Sequence, residues 1–482
     1  MKQNAIHGTG ARHSVDVASL IDEGSWSPLQ KLVLFLICLV AVVDGVDAQV
    51  LSLSLPSIVK DWDVPRAAFA LVLAISFIAM AAGTAAGGLA GDRFGRKATM
   101  IGATFAFGAF TLAAAFTHGV LELGILRALA SLGLGAAMPN AVTLVAEYTP
   151  KRRRSMALGI CMSSLPAGGM LLGFLGAYIL PRHGWEALFI VAGILPIAIS
   201  VALMAFLPES IRYLARQPAK AGKLRSIAVR MDPSIPVGAT FIDSGEAAAQ
   251  KKAQVSDVLT GEYAGDTYLL SVSFFFVVLA TYLVYTWAPS LLSDMGYSAQ
   301  YIGTSLSCFS LGGLLGGVLG ARIVQHLGSR RTFVGMSVGG SVCTGLMALA
   351  SQLPQQQAAV PLLIGLFLAG LLIPGTQAVI YVLAGQLYPT AIRATGIGIP
   401  AGFGRFGAVA SALVGPLLLA GPGLHFFLAP CASMLVVRAA LVAAPHPGGH
   451  SRSNLLPPDF IWPRTGARVT PTDCHPSTPL PL

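Results

Sequence analysis

Charge is what this chain has least of. Of its 482 residues only 11% are Asp, Glu, Lys or Arg, while 54% are hydrophobic. A soluble domain carries about a quarter charged residues, so a water-soluble fold is excluded, and the mean hydropathy of +0.71 agrees. Cysteine is scarce too. Cys38, Cys161, Cys308, Cys343, Cys431 and Cys474 have no metal-ligand spacing, and most sit in apolar runs. They read as small buried hydrophobes, and no metal site is expected. A cleavable leader is also missing: no basic stretch, short apolar core and small-residue cleavage site opens the chain. The polar "SVDVASLIDEGSWSPLQ" (14–30) is expected to be a cytosolic lead-in. The net charge of +10 could point to nucleic acid. In a membrane chain it points to basic cytoplasmic loops instead, and no nucleic-acid partner is expected.

What the chain has in quantity is long apolar runs. A helix crossing a bilayer needs about 20 of them in a row. Such runs lie near 32–55, 67–90, 98–117, 120–147, 155–180 and 186–207. A polar stretch follows to about Asp266, then 267–292, 301–325, 332–352, 359–386, 394–420 and a weaker 421–444, interrupted by Pro430 and Arg438. The expected fold is an all-α membrane protein, with twelve transmembrane helices in two pseudo-symmetric six-helix bundles. The expected divisions are a cytosolic segment 1–31, a bundle 32–207, a cytosolic central loop 208–266 with short surface helices, a bundle 267–444 and a tail 445–482. The tail is proline-rich, a composition typical of disorder.

The loops set the orientation. One alternate set holds Arg93, Arg96 and Lys97, the run Lys151, Arg152, Arg153 and Arg154, then Arg330, Arg331 and Arg393; the other holds Lys60, Arg66 and Arg182. The positive-inside rule places the first set, both termini and the central loop in the cytoplasm, as expected for a bacterial inner-membrane protein. The halves also repeat. Aligning "YTPKRRRSMALG" (148–159) with "YPTAIRATGIG" (388–398) on Pro150 and Pro389 matches Arg154 to Arg393 and Gly159 to Gly398. "GLAGDRFGRKAT" (88–99) has a looser copy, "GGVLGARIVQHLGSRRT" (316–332), without the aspartate. Parallel halves are a transporter architecture, with substrate bound at their interface near midplane.

"GDRFGRK" (91–97) joins two runs by a very short loop. Gly91 and Gly95 permit a tight turn. Asp92 can accept hydrogen bonds at the start of the next helix and pair with Arg93 or Arg96, with Lys97 beside them. A plain positive-inside turn would use the same bases. The order of acid, glycines and bases favours a latch that holds two helices in one state and releases them in another. This loop resembles the hallmark loop of the major facilitator superfamily. Arg127, with Gly133 and Gly135, resembles that superfamily's span-4 arginine motif, Ser131 replacing one usual glycine; "LPESIRYL" (207–214) resembles its end of span 6. "DGVD" (44–47), "RALASLGLGAAMPNAVTLVAEYTPKRRR" (127–154) and "YPTAIRATGIGIPAGFGRFGA" (388–408) resemble the aromatic acid:proton symporter family. The resemblance runs from about residue 15 to about residue 420 and fades after Leu419, where a change of reading frame would account for the odd tail.

Asp44 and Asp47 are three apart and share one helix face. An acid at a helix centre costs about 2.5–3.5 kcal/mol on insertion scales. The pair must therefore be neutralised, face a wet cavity or meet a cation on another span. Burial and a like-charged neighbour both favour the neutral form of a carboxyl, the poise a proton carrier needs, and the family resemblance implies proton coupling and gating by this pair. Arg405 is a candidate partner. At 1.5 Å per residue, Asp44 and Arg405 each lie about 12 residues, or roughly 18 Å, into their spans, near the middle of a core about 30 Å thick. Its permanent charge suits a substrate carboxylate or one of the two aspartates. Tyr282, Tyr285, Trp287, Tyr381, Phe403 and Phe406 could stack on a ring or simply pack, and Gln377 could line a cavity or bond to another helix. Arg127 could couple protonation to helix movement, as the resemblance implies, or reach outward to water. Glu147 is a candidate gating acid or part of a solvated loop.

Two soluble-enzyme patterns fail on context. "GFGRFG" (402–407) fits a dinucleotide fingerprint and "GMSVG" (335–339) a nucleophile elbow, but both lie inside apolar helical runs without a preceding strand. No enzyme activity and no cofactor is expected, only a proton as coupling ion. The expected protein is a monomer in the lipid bilayer, importing small aromatic carboxylates such as hydroxybenzoates with protons by alternating access. A carrier of another organic anion or drug, or a transport-inactive receptor for aromatic acids, are the alternatives.

Overall fold

A computed structural model of the chain describes residues 14–22, 26–232, 235, 240–242, 256–260, 263–388, 392–421 and 423–443. Spans 1 to 4 are the helices Pro28–Trp62, Ala67–Phe94, Arg96–Ala114 and Val120–Tyr148. Spans 5 and 6 form one run, Arg154–Phe206, bent at Gly184, whose backbone (φ 77, ψ 179) is not helical. Spans 7 to 11 are Ala264–Asp294, Ala299–Leu327, Ser329–Ala350, Gln355–Leu387 and Arg393–Leu419. Among the described residues, ten helices, the bent double one among them, are long and apolar enough to cross a membrane.

Span 12, Gly423–Ala443, completes the count of twelve. Pro430 and Arg438 do not stop it. It buries Phe426, Phe427, Met434 and Val437, and Ser341 of span 9 donates to the Cys431 carbonyl at 3.3 Å. A proline inside a span is tolerated where neighbouring helices cover the freed backbone groups. The proline-rich tail after Ala443 lies outside the described residues.

Span 1 begins at Pro28, earlier than the apolar run suggests. Ser27 and Gln30 form a capping box, with proline at the first helical position, which satisfies the free amides of the first turn. The turns after spans 2 and 8 match. Gly95 has φ 102 and Gly328 has φ 81, so each half uses glycine where a side chain would be strained. Within each half, glycines let backbones touch. A Cβ at Gly135 would lie 2.1 Å from the Met80 carbonyl oxygen, bringing spans 2 and 4 together; one at Gly316 would lie 2.1 Å from that of Leu371, bringing spans 8 and 10 together. Close approach of small residues is how helices pack where lipid supplies no hydrophobic drive.

The face carrying the chain's start and its central loop is termed basal, the opposite face distal. At the basal face the helices Ile211–Ala215, Ala221–Met231 and Ser256–Leu259 are the expected short surface helices. A parallel pairing of Ser14–Asp16 with Thr240–Ile242 was not expected. The helix Ala221–Met231 turns Leu224, Ile227 and Met231 inward onto Val17, Ile21, Leu29 and Val33, which docks the loop on the first bundle.

The polar links between the bundles run through the distal half. Gln49 Nε2 donates to Ser310 Oγ at 2.9 Å and Ser52 Oγ to the Tyr285 carbonyl at 3.0 Å. Ser307 Oγ donates to the Met170 carbonyl at 3.0 Å, and Arg66 forms a two-pronged ion pair with Asp294 at the distal rim. A Cβ at Gly303 would lie 2.5 Å from the Gly173 carbonyl oxygen, so spans 5 and 8 meet backbone to backbone. The bundles are thus joined on the distal side.

Candidate functional site

Asp44 sits sixteen residues after Pro28, close to the middle of span 1, and is 3% exposed. Its Oδ2 has no hydrogen-bond partner among the described residues. The charges that act on it are Asp47, of like sign, and Arg405, of opposite sign, from span 11 of the other bundle. Tyr282 feels Arg405, Asp44 and Tyr381 together, so one locus between the bundles holds an acid, a guanidinium and two phenols. Phe77 of span 2 meets the Tyr282 ring edge-on at 5.0 Å, and Phe274 meets Tyr381 at 4.9 Å. Gln377 lies four residues before Tyr381 and so on the same face of span 10.

Asp47 has a different fate from Asp44. Arg127 of span 4 grips it with two bonds, 2.5 Å to Oδ1 and 2.9 Å to Oδ2, and both side chains are nearly fully buried. Arg127 therefore points inward and does not reach for the membrane surface. The two aspartates thus differ: Asp47 makes the ion pair with another span that its chemistry allowed, and Asp44 keeps an unpartnered oxygen.

Other sequence-nominated contacts lie elsewhere. Phe403 is two residues from Arg405, about 200° round the helix. It is 45% exposed and packs on Phe275 and Phe406, facing away from the locus. Trp287 is completely buried; its Nε1 donates to the Ser411 carbonyl at 3.1 Å, and Gly415 leaves room for its ring. It fastens span 7 to span 11 and has no surface left for a ligand. Tyr285 lies deeper towards the distal side, its hydroxyl 3.3 Å from Ser310 Oγ. Gln49 and Ser310 in that cluster were missed. Gln49, a fully buried amide inside an apolar run with an unpartnered Oε1, carried the signal, two residues past "DGVD".

At the basal face the latch residues form a network. Arg96 reaches Asp92 at 3.3 Å and Glu147 at 3.0 Å. Ser210 donates to Glu147 Oε2 at 2.5 Å. Glu147 is thus 5% exposed and bonded within this network, so it is not part of a solvated loop. Asp92 is largely exposed and does not cap span 3. That role falls to Glu209, whose Oε1 accepts from the Lys97 amide at 3.0 Å and the Ser210 amide at 2.9 Å; "LPESIRYL" was the signal for it. Lys97 Nζ donates to the Met204 carbonyl at 3.0 Å, and the Arg93 carbonyl accepts from the Tyr213 hydroxyl at 3.3 Å. Gly95 makes the turn, whereas Gly91 is helical and is small for contact: a Cβ there would lie 1.9 Å from Asn140 Oδ1. The turn thus binds span 2, span 3, the end of span 4 and the end of span 6.

Two six-helix bundles, a charged locus between them and a multi-helix ion-pair and hydrogen-bond network at one face define a secondary-transporter scaffold that spans the membrane several times. The chain belongs to the Major Facilitator Superfamily, which residues 37–354 and 270–461 match. It is 34% identical over 444 residues to a gallate transporter of Pseudomonas putida, covering 89% of this chain and 97% of that one. It is 33% identical over 432 residues to a 4-hydroxybenzoate transporter of Pseudomonas aeruginosa, covering 89% and 94%. Its fold matches a partially occluded inward-open xylose transporter of E. coli with TM-score 0.68 at 17% identity, covering 88% of this chain and all of that chain.

Proposed function

We propose that the chain imports small aromatic carboxylates together with protons across the inner membrane, its basal face and both termini being cytoplasmic. The observation that carries this is the mid-membrane locus, where Asp44 keeps an unpartnered oxygen and Arg405 stands opposite on the other bundle. The relatives named for gallate and 4-hydroxybenzoate support the substrate class, and the basic loops support the orientation. Arg405 takes the substrate carboxylate, with Tyr282 and Tyr381 against the ring. Asp44 takes the proton. Moving one negative charge inward against 100 mV costs about 2.3 kcal/mol, and one co-imported proton cancels it. With its charges matched, the locus can be carried across as the bundles rock, distal links opening in one state and the latch changing partners in the other.

Uptake of labelled 4-hydroxybenzoate by cells expressing the chain tests this. Uptake is expected to collapse with a protonophore, with Asp44→Asn and with Arg405→Ala. Protonophore-insensitive uptake would remove the proton coupling. Uptake of other organic anions but not of aromatic acids, by protein shown to reach the membrane, would refute the substrate class. Binding of the acid without accumulation would point to a receptor.

A further inference from the structure

Beside the 91–97 turn, on the outside of the first bundle, lies a cavity of about 440 Å³. Its lining brings four cations, Lys97, Lys220, Lys223 and Arg230, around a single carboxylate, Glu209. Glu209 Oε1 already accepts the Lys97 and Ser210 amides, so positive charge is in excess. Lys223 and Arg230 are exposed at opposite ends of the helix Ala221–Met231. That helix buries its apolar side in the protein and holds its cations over the cavity. The other wall is the end of span 6, with Phe206 lining it. Val201 and Met204 are each at least half exposed, and they share one face of that span with the exposed Ala205, which also lines the cavity. A basic hollow therefore opens directly above a strip of membrane-facing apolar side chains.

We propose that this cavity binds the headgroup of an anionic phospholipid from the adjoining leaflet. The phosphodiester sits among the lysines and Arg230, and an acyl chain runs down the strip of Ala205, Met204 and Val201. A soluble anion would use the cations and leave the apolar strip idle, whereas a lipid uses both. Basic pockets at the end of spans are suited to such headgroups, and an arginine presents a planar fork to a phosphate.

The test uses the full chain in detergent micelles, titrated with a fluorescent phosphatidylglycerol. Four proteins are compared: the unaltered chain, the cavity variant Lys223→Gln/Arg230→Gln, the charge-keeping Lys223→Arg/Arg230→Lys, and the control Lys151→Gln/Arg152→Gln, which removes equal charge from an exposed site on the same face. At roughly fivefold per cation near an anionic surface, the cavity variant should bind about 25-fold more weakly. The control should match the unaltered chain, and Lys223→Arg/Arg230→Lys should retain binding. Neither inorganic phosphate nor phosphatidylcholine in excess should displace the probe. Equal affinity in the unaltered chain, the cavity variant and the control, an equal loss in cavity variant and control, or displacement by inorganic phosphate or phosphatidylcholine would each overturn the proposal. All the altered side chains are solvent-exposed, so a folding failure is not expected, and circular dichroism checks it.

Discussion

Removing Arg127 strands Asp47. The pair makes two bonds, at 2.5 and 2.9 Å, between side chains 6% and 3% exposed. At an effective dielectric of about 20, opposite unit charges about 4 Å apart attract by about 4 kcal/mol, and losing one partner of a buried pair costs about 3–5 kcal/mol. A lone carboxyl can take up a proton and escape part of that cost, so the lower figure applies. Arg127→Met should destabilise the chain by about 3 kcal/mol, and Asp47→Leu, which strands a guanidinium that cannot neutralise itself, by about 5 kcal/mol. The double variant leaves no charge to desolvate, and its loss should fall short of the sum by at least about 3 kcal/mol. Reversible denaturant unfolding in micelles, followed by tryptophan fluorescence, measures all four corners of the cycle. Trp62 and Trp185 report on the first bundle, since they touch edge to face at 5.6 Å. Additivity to within about 0.5 kcal/mol would refute the reasoning: water would then be screening the pair, as at a surface.

Three further expectations concern how the bundles and the latch are held. Gly95→Ala puts a Cβ at φ 102 and 2.5 Å from Glu209 Oε2; a thermal melt should show a loss of at least about 1–2 kcal/mol from the backbone alone, and uptake should fall with it. Arg66→Asp should loosen the distal rim and raise the fraction of distally open molecules seen by paired spin labels, while the exchange Arg66→Asp/Asp294→Arg restores it. The pair is partly exposed, so the shift should be about 1 kcal/mol or less and should shrink with salt. Gly303→Val forces side-chain atoms against the span-5 backbone at Gly173, and the same labels should report bundles held apart distally; an unchanged distance distribution would contradict the contact.

Much of the fold is legible because it is local. The apolar runs, the loop charges and the paired motifs around Pro150 and Pro389 each lie within a few dozen residues, and each half turns out to place the same glycine turn, at Gly95 and Gly328. Even Tyr148 and Tyr388, which open the repeated motif, have matching tasks. Both are buried, one bonding the Glu209 carbonyl at 2.5 Å and the other Thr267 Oγ1 at 2.9 Å. The site is legible only in its residue types. That Asp44, Asp47, Arg127 and Arg405 are costly in a membrane follows from their chemistry. Which of them meet does not, and the same gap left open where Phe403, Trp287 and Glu147 would lie.

Composition and loop charge were thus sufficient for the membrane class, the two six-span halves and the latch loop, because hydropathy and turn chemistry act over one span at a time. Tertiary structure alone decided the pairing. Asp47 meets Arg127 across 80 positions, Glu209 caps Lys97 across 112, and Gln49 reaches Ser310 across 261. A span that is apolar all round carries little amphipathic phase, so its own sequence does not say which face turns inward. Only packing against the neighbouring helices sets that rotation, and with it which acid is gripped and which is left free.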